Sequence, residues 1–165
     1  MTKQTDVSDG SKLLTRIMAW MESFIAMPHE YTIVVALYAI HAYVYRRYDS
    51  VPYLSITSAE PQAGKSTLVQ TICALADRGA VHTDPTKATL FALIDEAYDK
   101  DRNVTIGWDE CEKASRETDE RREIINSGYQ ATGSVPRMNR QWIPGSALPR
   151  VIHQKTYCPK VLAGI

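Results

Sequence analysis

Apolar and polar positions divide the chain into helical segments at its start and alternating strands and helices after that. Leu13, Leu14, Ile17, Met18, Met21, Phe24 and Ile25 recur at helical spacing and predict an amphipathic helix from Ser11 that closes near Pro28. A second helix is predicted over 30–48, carrying Ile33, Val34, Leu37, Ile40 and Val44 and ending in basic residues before Asp49. Together they predict a helical hairpin over 11–50, preceded by a polar, disordered tail over 1–10. Residues 53–57 have strand composition. Residues 68–76 carry apolar side chains at helical spacing, with Gly79 as a stop.

Beyond this point the pattern predicts a short strand over 80–82. Asp84-Pro85 then reads as an N-cap followed by proline at the first helical position, opening a helix to about Lys100. A strand over 103–108 ends in Asp109-Glu110, and a polar helix is expected over 118–129. A hairpin over 134–155, with a turn signal at Pro144-Gly145, and a last strand over 160–164 complete the chain. Strands alternating with helices predict an α/β core over 51–165, a mostly parallel sheet covered on both faces.

The 165 residues, 44 % hydrophobic and 23 % charged, suffice for one globular domain with a small helical appendage. Net charge is zero, so no global basic field points to nucleic acid. The distribution changes that picture. All 19 acids lie at or before residue 123, whereas 124–165 holds Arg137, Arg140, Arg150, Lys155 and Lys160 and no acid. Cys73, Cys111 and Cys158 show no metal-type spacing and fit reduced thiols of a cytoplasmic protein. The polar first ten residues lack a signal peptide's apolar stretch. Residues 31–45, interrupted by His41, are too short and polar for a membrane span, so no membrane partner is expected. His41 itself reads as a packed polar neighbour.

The candidate chemistry begins where the first strand ends. Ala59-Glu60-Pro61-Gln62-Ala63-Gly64-Lys65-Ser66 has the spacing of a phosphate-binding loop, with alanine in place of the first glycine. In such a loop Gly64 turns backbone N–H groups around phosphate oxygens, Lys65 reaches the β- and γ-phosphates, and the Ser66 hydroxyl ligates Mg²⁺. The expected phosphate-binding set is Ala59, Gln62, Ala63, Gly64, Lys65, Ser66 and Thr67, with ATP and Mg²⁺ as ligands. Phosphate sits at the amino end of the following helix. Asp109-Glu110, ending another apolar strand, is the expected second half: Asp109 for the metal, Glu110 to deprotonate the attacking water. In the acid-free segment, Arg137, Arg140, Trp142 and Arg150 around a hairpin tip suit single-stranded nucleic acid, charges on phosphates and a ring on bases. They equally suit an acidic face of a neighbouring subunit.

These stretches, with Ala39-Ile40-His41-Ala42, Trp108-Asp109-Glu110, Ile125-Asn126-Ser127-Gly128-Tyr129 and the ending 157–165, resemble a domain-of-unknown-function family. Its members are P-loop ATPases of bacteria and phages, often joined to primase or helicase modules. The resemblance implies an additional-strand (ASCE-type) P-loop NTPase, a three-layer α/β sandwich. It assigns phosphate and Mg²⁺ to Lys65 and Ser66, metal support to Asp109 and the catalytic carboxylate to Glu110. The chain departs from relatives in having Tyr129-Gln130-Ala131 where they carry a basic run. It also stops where they continue into a strand, an arginine-bearing segment and a lid, so a truncated C-terminus without that lid is expected. The implied function is a nucleic-acid-dependent ATPase in phage-type DNA replication, acting with a homo-oligomer or a replication protein. The alternative is an NTP-binding regulatory or assembly module without a nucleic-acid role. A small-molecule kinase fits less well, because the Asp109-Glu110 pair suits water activation.

Overall fold

A computed structural model describes residues 7–58, 63–111, 121–139 and 141–164. The chain runs α1 (Val7–Glu22), α2 (His29–His41), a 3₁₀ turn at Tyr45–Arg47, β1 (Tyr53–Ile56), α3 (Lys65–Leu75), β2 (Gly79–Thr83) and α4 (Lys87–Asp99). It continues through β3 (Thr105–Asp109), α5 (Arg122–Ser127), β4 (Ser134–Met138), β5 (Val151–Lys155) and β6 (Lys160–Ala163). The main sheet is parallel throughout, in the order β1-β6-β3-β2, and β4 with β5 forms a separate antiparallel ribbon. The last strand of the chain therefore lies between the first and the third.

Side chains of successive strand residues point to opposite faces, and two cores follow from this. On one face, Val161 and Ala163 meet Val69, Ile72 and Cys73 of α3, with Met21 of α1 and Val35 and Ala36 of α2 packed behind. On the other, Ile106, Trp108 and Leu162 meet Leu90, Phe91 and Ile94 of α4 and Ile124 of α5. All four residues of β6 are buried, as expected of a central parallel strand.

Helix α3 lies unusually close to the sheet. A Cβ on Gly107 would stand 2.5 Å from Cys73 Sγ and 2.9 Å from Val69 Cγ1, and one on Gly79 would stand 2.1 Å from the Cys73 carbonyl oxygen. Only glycine fits beneath the middle and carboxyl half of that helix. The helical hairpin is tied to the same frame through tyrosines. Tyr38 Oη donates to the Lys160 carbonyl at 2.9 Å, and Tyr43 Oη donates to the Leu75 carbonyl at 3.1 Å.

Several expectations are corrected. Residues 7–10, assigned to a disordered tail, open α1, while 1–6 lie outside the described residues. The second helix ends at His41 instead of about residue 48, because Tyr45 is needed in the core: it is fully buried beside Tyr157, ring centroids 5.3 Å apart. Tyr157 Oη lies 2.8 Å from both the Tyr45 and the Tyr48 carbonyl, which share its one proton, and holds the chain in this turn. Asp84 is not an N-cap. It adopts a left-handed φ of 46°, and Thr86 caps α4 by accepting from the Thr89 N–H at 3.2 Å. Within the described part of the helix expected over 118–129, α5 occupies Arg122–Ser127. No helix among the described residues is long and apolar enough to cross a membrane.

Lys160, counted with the basic segment, is in the interior at 1 % exposure. Its ammonium donates to the Thr156 carbonyl at 2.8 Å and the Cys158 carbonyl at 3.2 Å, and lies 4.9 Å from the centroid of the Tyr53 ring. Burial pushes its pKa down. It ties the entry of β6 to β1 and adds nothing to a surface field.

Two outcomes follow from this packing. Gly107→Ala should lose about 1–3 kcal/mol by overpacking against Cys73 and Val69, lowering Tm by roughly 2–12 °C. Gly10→Ala, with nothing within 4 Å of the added carbon and a helical backbone, should gain about 0.5–1 kcal/mol. Differential scanning calorimetry of both variants checks the pair, and equal melting points would refute the close approach of α3.

The second concerns pH. Burial pushes the Cys73 thiol from 9.0 up to about 11 and raises Tyr38 and Tyr53 as well. A folded pKa above the unfolded one adds stability that is complete below about pH 9 and is lost as pH climbs through about 11. For Cys73 this amounts to about 2–3 kcal/mol. Lys160, shifted the opposite way, acts in the opposite sense and does so equally in wild type and Cys73→Ala. Tm should fall between pH 9 and pH 11, and less steeply in Cys73→Ala; identical slopes would contradict this account.

Candidate functional site

The carboxyl ends of β1, β6 and β3 finish level with one another. Ile56 pairs with Ala163 and Trp108 with Leu162, so Asp109, the residue after Trp108, stands at the height of Ile56. Adjacent strands are about 4.8 Å apart, which puts the end of β1 roughly 10 Å from the end of β3. The two halves of the expected site are thus on one edge of the sheet with a single strand between them.

At the β1 side, Gly64 holds a left-handed φ of 82° and is the N-cap of α3. Having no side chain, it gives the first N–H groups of α3 no cap of its own, and among the described residues nothing lies within 4 Å of where its Cβ would be. Lys65 and Ser66 form the first turn of that helix, with Lys65 half-buried and Ser66 exposed. Ala63 and Thr67 are exposed beside them. An 11-residue helix whose glycine N-cap has no side chain to offer presents a partial positive charge toward the strand edge. Ala59 and Gln62 lie outside the described residues.

At the β3 side, two non-glycine residues on paired strands turn left-handed together. Thr83 pairs with Asp109, and the residues that follow, Asp84 and Glu110, have φ of 46° and 58°. Such backbone costs about 1–2 kcal/mol per residue for a side chain like glutamate. Local bonds hold it: Asp109 Oδ1 accepts from the Glu110 N–H at 3.1 Å, and the Asp84 N–H donates to the Asp109 carbonyl at 3.3 Å. Arg121 closes the arrangement. Its guanidinium pairs with the Asp84 carboxylate, donates to the Pro85 carbonyl at 3.1 Å and lies 5.0 Å from the Trp108 ring centroid. One arginine thereby fastens the ends of β2 and β3 to each other, next to half-exposed Asp109 and exposed Glu110.

No group of three or more His, Cys, Asp or Glu among the described residues could hold a metal ion unaided. Mg²⁺ does not need one, since it takes one or two protein oxygens and completes its shell with phosphate and water. The exposed Ser66 hydroxyl on the α3 side and the Asp109 carboxylate on the β3 side are hard oxygen donors of that kind.

The hairpin residues divide. Arg150 lies 5.4 Å from the Trp142 ring centroid at the ribbon's tip, near a turn at Gly145 with φ of 86°. Arg137 is on the inner side of the ribbon, 4.9 Å from the Phe91 ring centroid and 3.8 Å from Glu123. Arg140 lies outside the described residues. Sequence reasoning missed Asp84 and Arg121, which brace the strand ends, and Glu123, which pairs with Lys87 at 3.1 Å as well as approaching Arg137. Their only signal was residue type; the partners are 36 or more residues apart for Asp84–Arg121 and Lys87–Glu123, beyond any local pattern.

Compared with family models, curated proteins and solved structures, the chain matches none.

Arg121→Ala should destabilise the protein by about 1–3 kcal/mol, because it leaves the Asp84 carboxylate partly buried without its cation. Arg121→Lys should recover only part, lacking the planar fork and its stacking on Trp108. Urea denaturation checks both, the midpoint falling with the slope unchanged; an unshifted midpoint for Arg121→Ala would contradict the bracing role.

Proposed function

We propose that this chain is an ATP-binding P-loop NTPase of the additional-strand class whose turnover responds to a single nucleic-acid strand held by the β4–β5 ribbon. One observation carries the reading: Gly64-Lys65-Ser66 at the end of β1 and Asp109-Glu110 at the end of β3 share one sheet edge, with β6 between them. A strand inserted between the phosphate-loop strand and the acidic strand is what the additional-strand reading requires. The roughly 10 Å between those ends suits a triphosphate bridging them.

In this reading the α3 amides and Lys65 neutralise the β- and γ-phosphate oxygens. The Ser66 hydroxyl and Asp109 hold Mg²⁺, which supplies charge neutralisation of the phosphate oxygens as the leaving group departs. Glu110 orients the attacking water and takes its proton. Arg121 acts one step away, positioning the β3 end through Asp84 and Trp108. Arg150 stacked near Trp142 offers a cation for phosphate and a ring for a base at the ribbon tip. The family resemblance in the sequence supports the same reading, with replication as the setting.

Lys65→Ala should weaken Mg²⁺-ATP binding roughly tenfold or more, the loss of one charge-assisted phosphate contact. Glu110→Gln should bind ATP like wild type and hydrolyse it at least about 100-fold more slowly. Single-stranded DNA should accelerate wild-type hydrolysis. Isothermal titration and steady-state phosphate release measure these quantities. Undiminished ATP affinity in Lys65→Ala defeats the nucleotide assignment, and a rate indifferent to DNA defeats the nucleic-acid half.

A further inference from the structure

A second cleft, apart from the strand edge, lies between α4 and the inner side of the β4–β5 ribbon. Its volume is about 770 Å³, within the range of sites that enclose a small organic ligand. The periodicities of the two elements create it. Ala88, Ala92 and Asp95 fall on one face of α4, and two of the three are only methyl groups. Opposite them, Ile152 pairs with Arg137, and Gln154 follows two residues along on the same side of the ribbon. The ribbon is pinned to the helix at two points of the cleft wall. At one the Gln154 amide donates to Asp95 Oδ2 at 2.9 Å; at the other the Arg137 guanidinium lies over the Phe91 ring.

We propose that this cleft receives a nucleobase carrying an exocyclic amino group, presented by a single nucleic-acid strand or by a free nucleotide. Shape and chemistry both argue for it. The small-residue face of α4 leaves a slot, and the guanidinium on Phe91 supplies a flat cationic surface of the kind on which bases stack. Amide and carboxylate groups at the rim match a base edge, which presents donors and acceptors together. Asp95 supplies the preference. Among the described residues the groups acting on it are the Gln154 amide, the Lys155 N–H and the neighbouring Asp99 carboxylate, none of them a cation, and burial raises its pKa. A half-buried carboxylate so placed favours a ligand that brings an N–H donor, as cytosine and adenine do and thymine lacks at its exocyclic position. The lining sets the cations Lys87 and Arg137, each close to Glu123, beside the Asp95 carboxylate, so the preference rests on the base edge and not on a net field.

The inference deepens the nucleic-acid half of the proposed function and does not use the phosphate loop. Its test uses the full chain without ATP, at low salt, with fluorescently labelled oligo-dC, oligo-dA and oligo-dT of about 15 nucleotides. Oligo-dC and oligo-dA should bind roughly tenfold or more tightly than oligo-dT. Ala92→Trp, a change at an exposed helix position, should fill the slot and weaken oligo-dC at least tenfold while its thermal melt and Mg²⁺-ATP affinity stay at wild-type values. Asp95→Asn should erase the preference over thymine. Competition by cytidine or adenosine monophosphate at similar concentration per base would identify a free-nucleotide site; competition by strands alone would identify a strand site. Equal affinity for oligo-dT, undisturbed binding in Ala92→Trp, or no binding by wild type would overturn the proposal. Preserved oligo-dC preference in a protein that fails to bind ATP would remove the phosphate-loop reading and leave this cleft standing.

Discussion

The pairing of β6 with both β1 and β3 is the constraint on which the structure rests. Neither flanking strand touches the other, so without residues 160–163 the sheet falls into a single strand and a pair. Tyr53 pairs with Lys160 across most of the chain, and Ile106 pairs with the same residue from the other side. Closing such contacts exacts loop entropy before it returns burial, a slow route to a sheet. The strand that does it is correspondingly rich in interior contacts, with Val161, Leu162 and Ala163 dividing between the two cores.

Lys160 shows how tightly that strand is specified. A lysine at the start of a central strand is costly to bury, yet its ammonium meets the Thr156 and Cys158 carbonyls that the incoming loop would otherwise leave without donors. The neighbouring turn is built to the same tolerance. A Cβ on Gly128 would stand 2.5 Å from Lys160 Nζ and 2.3 Å from the Thr156 carbonyl oxygen. Polar satisfaction here serves register: a slip of one residue would turn the lysine to the α3 face, away from its carbonyls.

How legible this was from sequence depends on the range of the interaction. The phosphate-loop spacing, the Gly64 turn, the strand expected over 103–108 and found at Thr105–Asp109, the ribbon and its Pro144-Gly145 turn are local patterns, and each reads from neighbouring residues. The strand order was not readable, since β1, β3 and β6 share the same apolar composition. Helix α2 misled because it is apolar nearly all round. Val34 and Leu37 looked like core and are about half exposed, while Thr32, Val35, Ala36, Tyr38 and Ala39 are buried. Lys160 and Arg137 looked like surface cations for the same kind of reason. Residue type announces a charge, and only the fold says whether it faces solvent, a carbonyl or a phenyl ring.

The strand edge and the α4–ribbon cleft are separate regions that share one small element. Helix α5 is six residues long, and the arginine that precedes it braces the end of β2, while its own Glu123 meets Lys87 and approaches Arg137 of the ribbon. A rigid-body shift of α5 by more than an ångström or so would stretch pairs on both sides at once, each with a partner at most about one-third exposed. Partly buried charges do not tolerate separation cheaply, because a stranded partner keeps its desolvation cost and loses its compensation. Movement of the ribbon against α4 therefore has to be absorbed either at Glu123 or at the Asp84–Arg121 pair. The second of these adjoins Trp108 and Asp109 directly, so the position of the ribbon and the geometry of the acidic strand end are mechanically joined through a helix of fewer than two turns.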